Sequence, residues 1–233
     1  MSVASLLKIS ILQIFQKLTN VKYIRIITHS TLSSYLVLFI SSYLITITFG
    51  YNNYSPLYNM ISQMGSISFT PAPYLFDFAC IFSGFLSFPI SFYIYRYLNY
   101  KINLEPNYKF IKTFLLIFLI ASKMLGDIGF IGIGIFSIDR NPFNIHYLFA
   151  SLLFFGYFLS SFLIGILIIV FKFRLNKFIG LSGLFSSTII CLTYIILELL
   201  LLDVIIFEWI ASITLIIWFY GFIYSILRMR KKL

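Results

Sequence analysis

The side chains best suited to chemistry lie between Lys123 and His146, in the stretch KMLGDIGFIGIGIFSIDRNPFNIH. Lys123 and Asp127 stand one helical turn apart in an apolar run long enough to cross a bilayer, so they share one helix face. Asp127 precedes Phe136 by nine residues, or about 14 Å along a helix, which is close to the midplane of a hydrocarbon core of about 30 Å. Because a charge there costs about 2.5–3.5 kcal/mol, we expect the two groups to pair, to face a cavity, or both.

Two interpretations of this intramembrane pair stay open. One is an internal ion pair that joins helices, and the other is a proton relay or the floor of a polar pocket. Glu198, near the end of a later apolar run, shares one helical stripe with Ser187, Cys191 and Tyr194, and this stripe could face the pair across a bundle. Hydrogen bonds between helices are the alternative explanation of the stripe.

A polar turn follows the glycine-rich exit of the same run and carries Asp139, Arg140 and His146. A carboxylate beside a histidine is a candidate general acid/base pair, provided that the fold brings the two within hydrogen-bond reach. The Arg140 guanidinium suits a phosphate or carboxylate head group, whereas the alternative is a structural turn with a local salt bridge. The catalytic candidates are therefore Asp127, Asp139 and His146. The substrate-binding candidates are Lys123, Arg140, Glu198 and Asp77.

The composition indicates which elements must position these groups. Of 233 residues, 61% are hydrophobic and only 10% are charged, which is too little charge for a water-soluble surface. Apolar runs near 20 residues recur along the chain. We therefore predict an all-α, polytopic membrane protein: a six-helix transmembrane bundle with an N-terminal interfacial helix.

The hydropathy pattern divides the chain into two parts. Residues 1–31 are predicted to form a cytoplasmic-side amphipathic segment in the membrane interface, and residues 32–233 the six-span domain. A short helix resting on the surface is predicted for SPLYNMISQMG, after the first span. The predicted spans cover about residues 32–50, 74–98, 110–136, 145–171, 178–202 and 206–227.

The basic residues predict the orientation. Fifteen of the seventeen Lys and Arg fall in the N-terminal segment, the alternate loops and the C-terminal tail, all on one side of six spans. The positive-inside rule therefore predicts a cell-membrane protein with both termini in the cytoplasm. The same distribution explains the net charge of +10 without nucleic-acid binding. The acids concentrate towards the opposite side, and this asymmetry is the main functional clue.

Several cofactor classes are not expected. His29 and His146 lie near opposite membrane faces, so two histidines cannot hold one haem within this chain. Cys80 and Cys191 show no CxxC or metal-ligand spacing and are expected to be small buried residues. No cofactor or metal is predicted. Close helix packing or a flexible exit, rather than a nucleotide-binding loop, is expected of four glycines: Gly126, Gly129, Gly132 and Gly134.

Three stretches, YSPLYNMISQMG, PYLFDFACIFSGFL and GIGIFSIDRNPFNIHYLFA, resemble the prokaryotic family named domain of unknown function 998 (DUF998). They are also distantly similar to the eukaryotic Frag1/DRAM/Sfk1 group of six-span proteins. The matched positions are Tyr54, Ser55, Pro56, Ile61, Ser62, Gly65, Gly132, Gly134, Phe136, Asp139 and His146. The resemblance implies a six-span membrane fold, and the eukaryotic group implies a role around lipids.

Three functions follow as hypotheses. The first is lipid or isoprenoid handling, as a binder or as a hydrolase or transferase, through a polar pocket in the outer half of the bundle. The second is a non-catalytic subunit of a larger membrane assembly, such as a respiratory complex. The third, less favoured, is a proton-coupled transporter. The expected partners are membrane lipids and other integral membrane subunits, and nucleic acid is not expected.

Overall fold

The computed structural model of the protein describes residues 13–173 and 175–229, apart from the side chain of Glu198. Within these ranges the chain is all-α and contains no strand. Six long helices are present, each long and apolar enough to cross a membrane, which confirms the predicted all-α six-helix architecture. They are α1 (Val21–Phe49), α2 (Tyr74–Leu104), α3 (Lys109–Ile135), α4 (Ile145–Ile169), α5 (Lys177–Leu199) and α6 (Ile205–Met229). Two short 3-10 helices cover Ile61–Gly65 and Pro142–Asn144.

The first helix begins well before the predicted start at residue 32. It starts at Val21 because the Asn20 Oδ1 atom accepts a hydrogen bond from the Lys22 backbone N–H at 2.9 Å and so caps the helix. The Thr31 hydroxyl donates to the Ile27 carbonyl at 2.7 Å, which satisfies a polar group inside the apolar run. The predicted division at residue 31 therefore falls inside one continuous helix. Residues 13–18 form a separate helical stretch, and residues 1–12 of the predicted interfacial segment lie outside the described residues.

Small residues let the helices around α3 approach closely. A Cβ atom at Gly156 of α4 would lie 2.5 Å from the Gly126 nitrogen and 2.5 Å from the Ser122 carbonyl oxygen, both on α3. A Cβ atom at Gly84 of α2 would lie 2.9 Å from the Asp127 carbonyl oxygen. Backbones touch at these points, as at other interfaces between membrane helices. The close packing expected of the glycines in the third span is confirmed, and α3 sits between α2 and α4.

Along α2, α3 and α4, a polar layer separates two of the three apolar clusters of the described interior. The larger cluster includes Ile90, Leu119 and Ile164. The smaller one includes Cys80 and Ile133. The polar layer therefore falls near the middle of these helices, where it is shielded from water at both ends.

The two ends of the bundle differ in charge. We call the end where α1, α3 and α5 finish the acidic end, because it carries Asp77, Asp139, Asp203 and Glu208. The other end carries most of the Lys and Arg and is called the basic end. Large apolar side chains cover the outer surface between them; Phe110 is 84% exposed and Ile217 is 69% exposed. Such a surface suits hydrocarbon rather than water.

Candidate functional site

The predicted pair at the bundle centre is an ion pair. The Lys123 Nζ atom lies 2.7 Å from the Asp127 Oδ1 atom, and both residues are 0% exposed. Lys123 also donates to the Ser87 hydroxyl of α2 at 2.6 Å. This result follows from the spacing, because residues four apart on a helix face one another.

Two other helices, α2 and α4, complete the partners of Asp127. The Ser91 hydroxyl of α2 donates to Oδ2 at 2.9 Å, and the Tyr157 hydroxyl of α4 donates to Oδ1 at 2.7 Å. The Lys123 ammonium lies 5.1 Å from the Tyr157 ring centroid and 4.6 Å from that of Phe219 on α6, within the range of a cation–π interaction. We call Lys123, Asp127, Ser87, Ser91 and Tyr157 the central network. Its charges are paired and hydrogen-bonded, as a low-dielectric interior requires.

A second ion pair lies at the acidic end. The Arg140 Nη2 atom lies 2.6 Å from the Asp77 Oδ2 atom and 2.7 Å from the Gly65 carbonyl oxygen. Ser137 joins both charged groups, because its hydroxyl donates to Asp77 Oδ1 at 2.8 Å and lies 2.8 Å from Arg140 Nη2. The Tyr74 ring lies under the guanidinium, 4.9 Å from its carbon. The fold thus brings together two of the predicted binding residues, Asp77 and Arg140, which form an ion pair with each other.

The structure does not join the predicted acid/base pair. The Asp139 Oδ2 atom accepts from the Ser66 hydroxyl at 2.7 Å and from the Ser68 backbone N–H at 3.3 Å. The His146 Nδ1 atom lies 2.7 Å from the Phe136 carbonyl oxygen, so this nitrogen carries the hydrogen. No hydrogen bond links Asp139 to His146, although both are among the described residues. The two groups hold separate loop segments in place.

Residues 50–73, here called the covering loop, close the acidic end. The predicted surface helix is wrong in detail, because the stretch forms a turn and then the 3-10 helix Ile61–Gly65. This helix is buried rather than resting on the surface, since Ile61 and Met64 pack into the smaller apolar cluster. Tyr54 is buried beside it and donates to the Met60 carbonyl at 2.9 Å. Burial raises the pKa of the Tyr54 phenol, and the nearby Glu208 carboxylate raises it further.

Two residues of α6 that sequence reasoning did not select hold the covering loop. The Glu208 Oε2 atom accepts from the Ile61 backbone N–H at 3.2 Å. The Trp209 Nε1 atom donates to the Asn59 carbonyl at 2.9 Å. The sequence carries a weak signal for these contacts between α6 and the covering loop. Glu208 and Trp209 are adjacent in the first turn of an apolar helix, which is the level of the membrane interface.

The described side chains of the predicted stripe on α5 do not contact the central network. Tyr194 is 46% exposed and stacks near Phe207 of α6, with ring centroids 5.8 Å apart. Ser187 is buried but donates to carbonyls of its own helix. Cys191 is exposed, whereas Cys80 is buried as expected. The Glu198 side chain lies outside the described residues, so its predicted binding role stays a prediction.

Side chains rather than backbones join α1 to α6. Close backbone packing links consecutive helices but not these two. The His29 Nδ1 atom lies 2.9 Å from the Tyr224 hydroxyl near the basic end. Trp209 contacts Phe39 and Tyr43 near the acidic end, with ring centroids 6.1 Å apart in each case. We call these five residues the aromatic seam.

The arrangement defines a class of protein. Six membrane-length apolar helices and an ion pair buried between them are the features of a multi-pass α-helical membrane protein. Among the described residues no group of three or more His, Cys, Asp or Glu could hold a metal ion. Comparisons with protein-family models, curated proteins and solved structures find no match to this chain. The resemblance to the DUF998 family and to the Frag1/DRAM/Sfk1 group therefore stays a prediction.

Proposed function

We propose that this protein binds a lipid or isoprenoid in the half of the bundle at the acidic end, and that the ligand enters between α1 and α6. One observation carries the proposal: near the acidic end α1 contacts α6 through the aromatic rings of Phe39, Tyr43 and Trp209, whereas the backbones of helices α1 to α5 pack closely in consecutive pairs. Phe39, Tyr43 and Trp209 remain partly exposed although they contact one another. A separation of this kind between two helices admits a flat or linear apolar molecule, and aromatic rings line it.

The acidic end offers polar partners for a head group. Arg140 is the one cation there among the described residues, and it touches the covering loop through the Gly65 carbonyl. Movement of the loop would free this contact and let the guanidinium bind a phosphate or carboxylate. With both termini in the cytoplasm, as the basic residues favour, the acidic end would face the outer leaflet of the cell membrane.

Binding is favoured over hydrolysis or transfer. An acid/base mechanism requires hydrogen-bond reach between the groups that exchange protons, whereas the Asp139 Oδ2 atom and the His146 Nδ1 atom bond to separate loop partners. Asp127 has no exposed surface and three hydrogen-bond donors around its carboxylate. The catalytic candidates are thus better explained as groups that hold the fold around a binding site.

Native mass spectrometry of the gently extracted protein tests this proposal. The wild type should keep a specific lipid through detergent exchange, and Phe39→Ala should lose most of it because the variant removes one of the rings that line the proposed site. Phe78→Ala is the matched control, since it removes the same ring from an outward position that is 50% exposed. A wild type that emerges without lipid, or equal retention in both variants, would refute the proposal.

A non-catalytic subunit of a larger membrane assembly is the second candidate. The observation in its favour is that the candidate polar groups at both ion pairs already have partners within the chain. The same spectrum tests it, because a subunit would appear with a fixed set of companion chains. Recovery of the lone chain with a bound lipid would decide for the first proposal.

A proton-coupled transporter, the third hypothesis, would need Asp127 to exchange a proton with water. The central network surrounds that carboxylate with donors and leaves it no exposed surface. No observation favours this hypothesis over the first two.

A further inference from the structure

A cavity at the basic end has no part in the proposed lipid path. It has a volume of about 480 Å³ and is lined by Gln16, Asn20, Val21 and Arg96. It therefore lies where the stretch before α1 meets the second half of α2. Its volume falls in the range of small-molecule sites, roughly 300–1,000 Å³.

Hydrogen-bond donors dominate the wall of this cavity. The Arg96 Nη1 atom donates to the Thr19 hydroxyl at 2.8 Å and lies 3.5 Å from the Gln16 carbonyl oxygen. The Nε and Nη2 atoms of Arg96 make no hydrogen bond within the described part of the chain. Asn20 uses its Oδ1 atom to accept from the Lys22 N–H, which leaves its amide nitrogen as a donor. The free polar atoms at the cavity are thus mainly donors.

The cavity also has an uncompensated positive charge. The ion pairs of the described residues involve Lys123 and Arg140 but not Arg96. No carboxylate is among the described residues that line the cavity, and Lys17 and Lys22 are sequence neighbours of its lining residues. An arginine with free donors and no counter-ion is an attractive partner for a doubly oxygenated anion, because the guanidinium can bind two oxygens at once.

The depth of Arg96 places the cavity at head-group level. Arg96 follows Tyr74, the first residue of α2, by 22 positions, or about 33 Å at a rise of about 1.5 Å per residue. The hydrocarbon core is about 30 Å thick, so Arg96 reaches the level of lipid phosphates on the basic side. Basic pockets between membrane helices on the cytoplasmic side are recognised by anionic head groups.

We propose that the cavity formed by Gln16, Asn20, Val21 and Arg96 is a binding site for a phosphate ester. Its position at head-group level makes an anionic phospholipid the first source to test, and a soluble phosphate ester offers the same chemistry. This site lies at the opposite end from the proposed lipid path, so either proposal can fail without the other.

A purely structural role for Arg96, as a tether between α2 and the residues before α1, is the competing explanation. Asn20→Asp separates the two. Aspartate caps a helix as well as asparagine does and leaves the Arg96–Thr19 bond intact, but it replaces a donor at the cavity with a negative charge. Asn20→Ser keeps a capping side chain without that charge and is the matched control.

The experiment measures apparent Kd values for the full-length protein in neutral detergent by native mass spectrometry and thermal shift. The probes are phosphatidylglycerol, diacylglycerol with the same acyl chains, and glycerol phosphate. Phosphatidylglycerol should bind the wild type, and Asn20→Asp should bind it about tenfold or more weakly than Asn20→Ser, as expected for the loss of charge-assisted hydrogen bonds. Arg96→Gln should weaken binding similarly, whereas Lys101→Gln, which removes a charge from α2 outside the cavity, should not.

Each outcome has one meaning. Binding of glycerol phosphate as tight as that of the lipid assigns the site to a soluble phosphate ester, and binding of the lipid alone assigns it to the membrane. Diacylglycerol that binds as tightly as phosphatidylglycerol would overturn the proposal. Equal affinities of Asn20→Asp and Asn20→Ser would overturn it as well, and would leave Arg96 a tether.

Discussion

Removing both members of the Lys123–Asp127 pair should destabilise the protein much less than the sum of the two single removals. At 2.7 Å between Nζ and Oδ1, the gross Coulomb attraction is about 6 kcal/mol for an effective dielectric constant of about 20. The cost of taking each ion out of water is several kcal/mol, so the attraction and the two desolvation costs nearly cancel. A lone charge left at this site has the cost without the attraction.

The perturbation is a double-mutant cycle with Lys123→Met and Asp127→Leu. Each single variant should lose about 3–5 kcal/mol of unfolding free energy, because it leaves one buried charge unpaired. The double variant should be less destabilised than the sum of the singles by about 3 kcal/mol or more. It should still fall below the wild type, since Ser91 and Tyr157 lose an acceptor, which costs roughly 1–3 kcal/mol for each buried unpaired group.

The assay is reversible unfolding in a lipid–detergent mixture, followed by the near-ultraviolet signal of the aromatic residues. Additivity of the two substitutions within about 0.5 kcal/mol would refute the reasoning, because independent sites behave that way. Lipid retention by the double variant is a second readout. We expect it to match the wild type, since the pair has no exposed surface to touch a ligand.

Three further predictions concern packing, the covering loop and orientation. Gly156→Ala should cost about 1–3 kcal/mol of unfolding free energy by overpacking, because its Cβ atom would meet backbone atoms of α3 at 2.5 Å. Gly221→Ala is the control: a Cβ atom there has nothing within 4 Å, so this variant should be neutral or more stable by about 0.5–1 kcal/mol. Equal changes in the two variants would contradict the packing argument. The covering loop is tested by thiol labelling of Ser62→Cys in a background without the two native cysteines. Adding Arg140→Lys should speed this labelling about tenfold, because a single ammonium cannot make all the guanidinium contacts that hold the loop. An unchanged labelling rate would show that the ion pair does not hold the loop shut. A Tyr58→Cys variant, at a site 77% exposed, should react with an impermeant thiol reagent on intact cells, and protection until lysis would reverse the proposed orientation.

Short-range features of the candidate site were predictable from the sequence. The contact between Lys123 and Asp127 was expected because both stand on one helix, where spacing alone decides the geometry. Asp77, Gly84 and Ser91 of α2 are each seven residues apart, so they share one helix face, and all three are buried. Helical periodicity is a local property and does not depend on which other helix lies opposite.

Contacts between distant segments were not predictable in this way. Asp139 and His146 are only seven residues apart, but the turn between them carries Phe143 and Asn144 with φ of 57° each, and the imidazole bonds back to Phe136. The carboxylate instead meets Ser66, far away along the chain. Nearness in sequence through an irregular turn therefore says little about nearness in space.

By itself, the sequence determined the class of protein and the number of its helices, because length and hydropathy of each segment suffice to show what can cross a membrane. Only the tertiary structure decided which polar groups of different segments meet. Arg140 joins Asp77, Glu208 holds Ile61 and Ser91 reaches Asp127 because the order and vertical register of the helices place them together. That register depends on side chains packing across interfaces, as at Gly156, which periodicity along one segment does not encode.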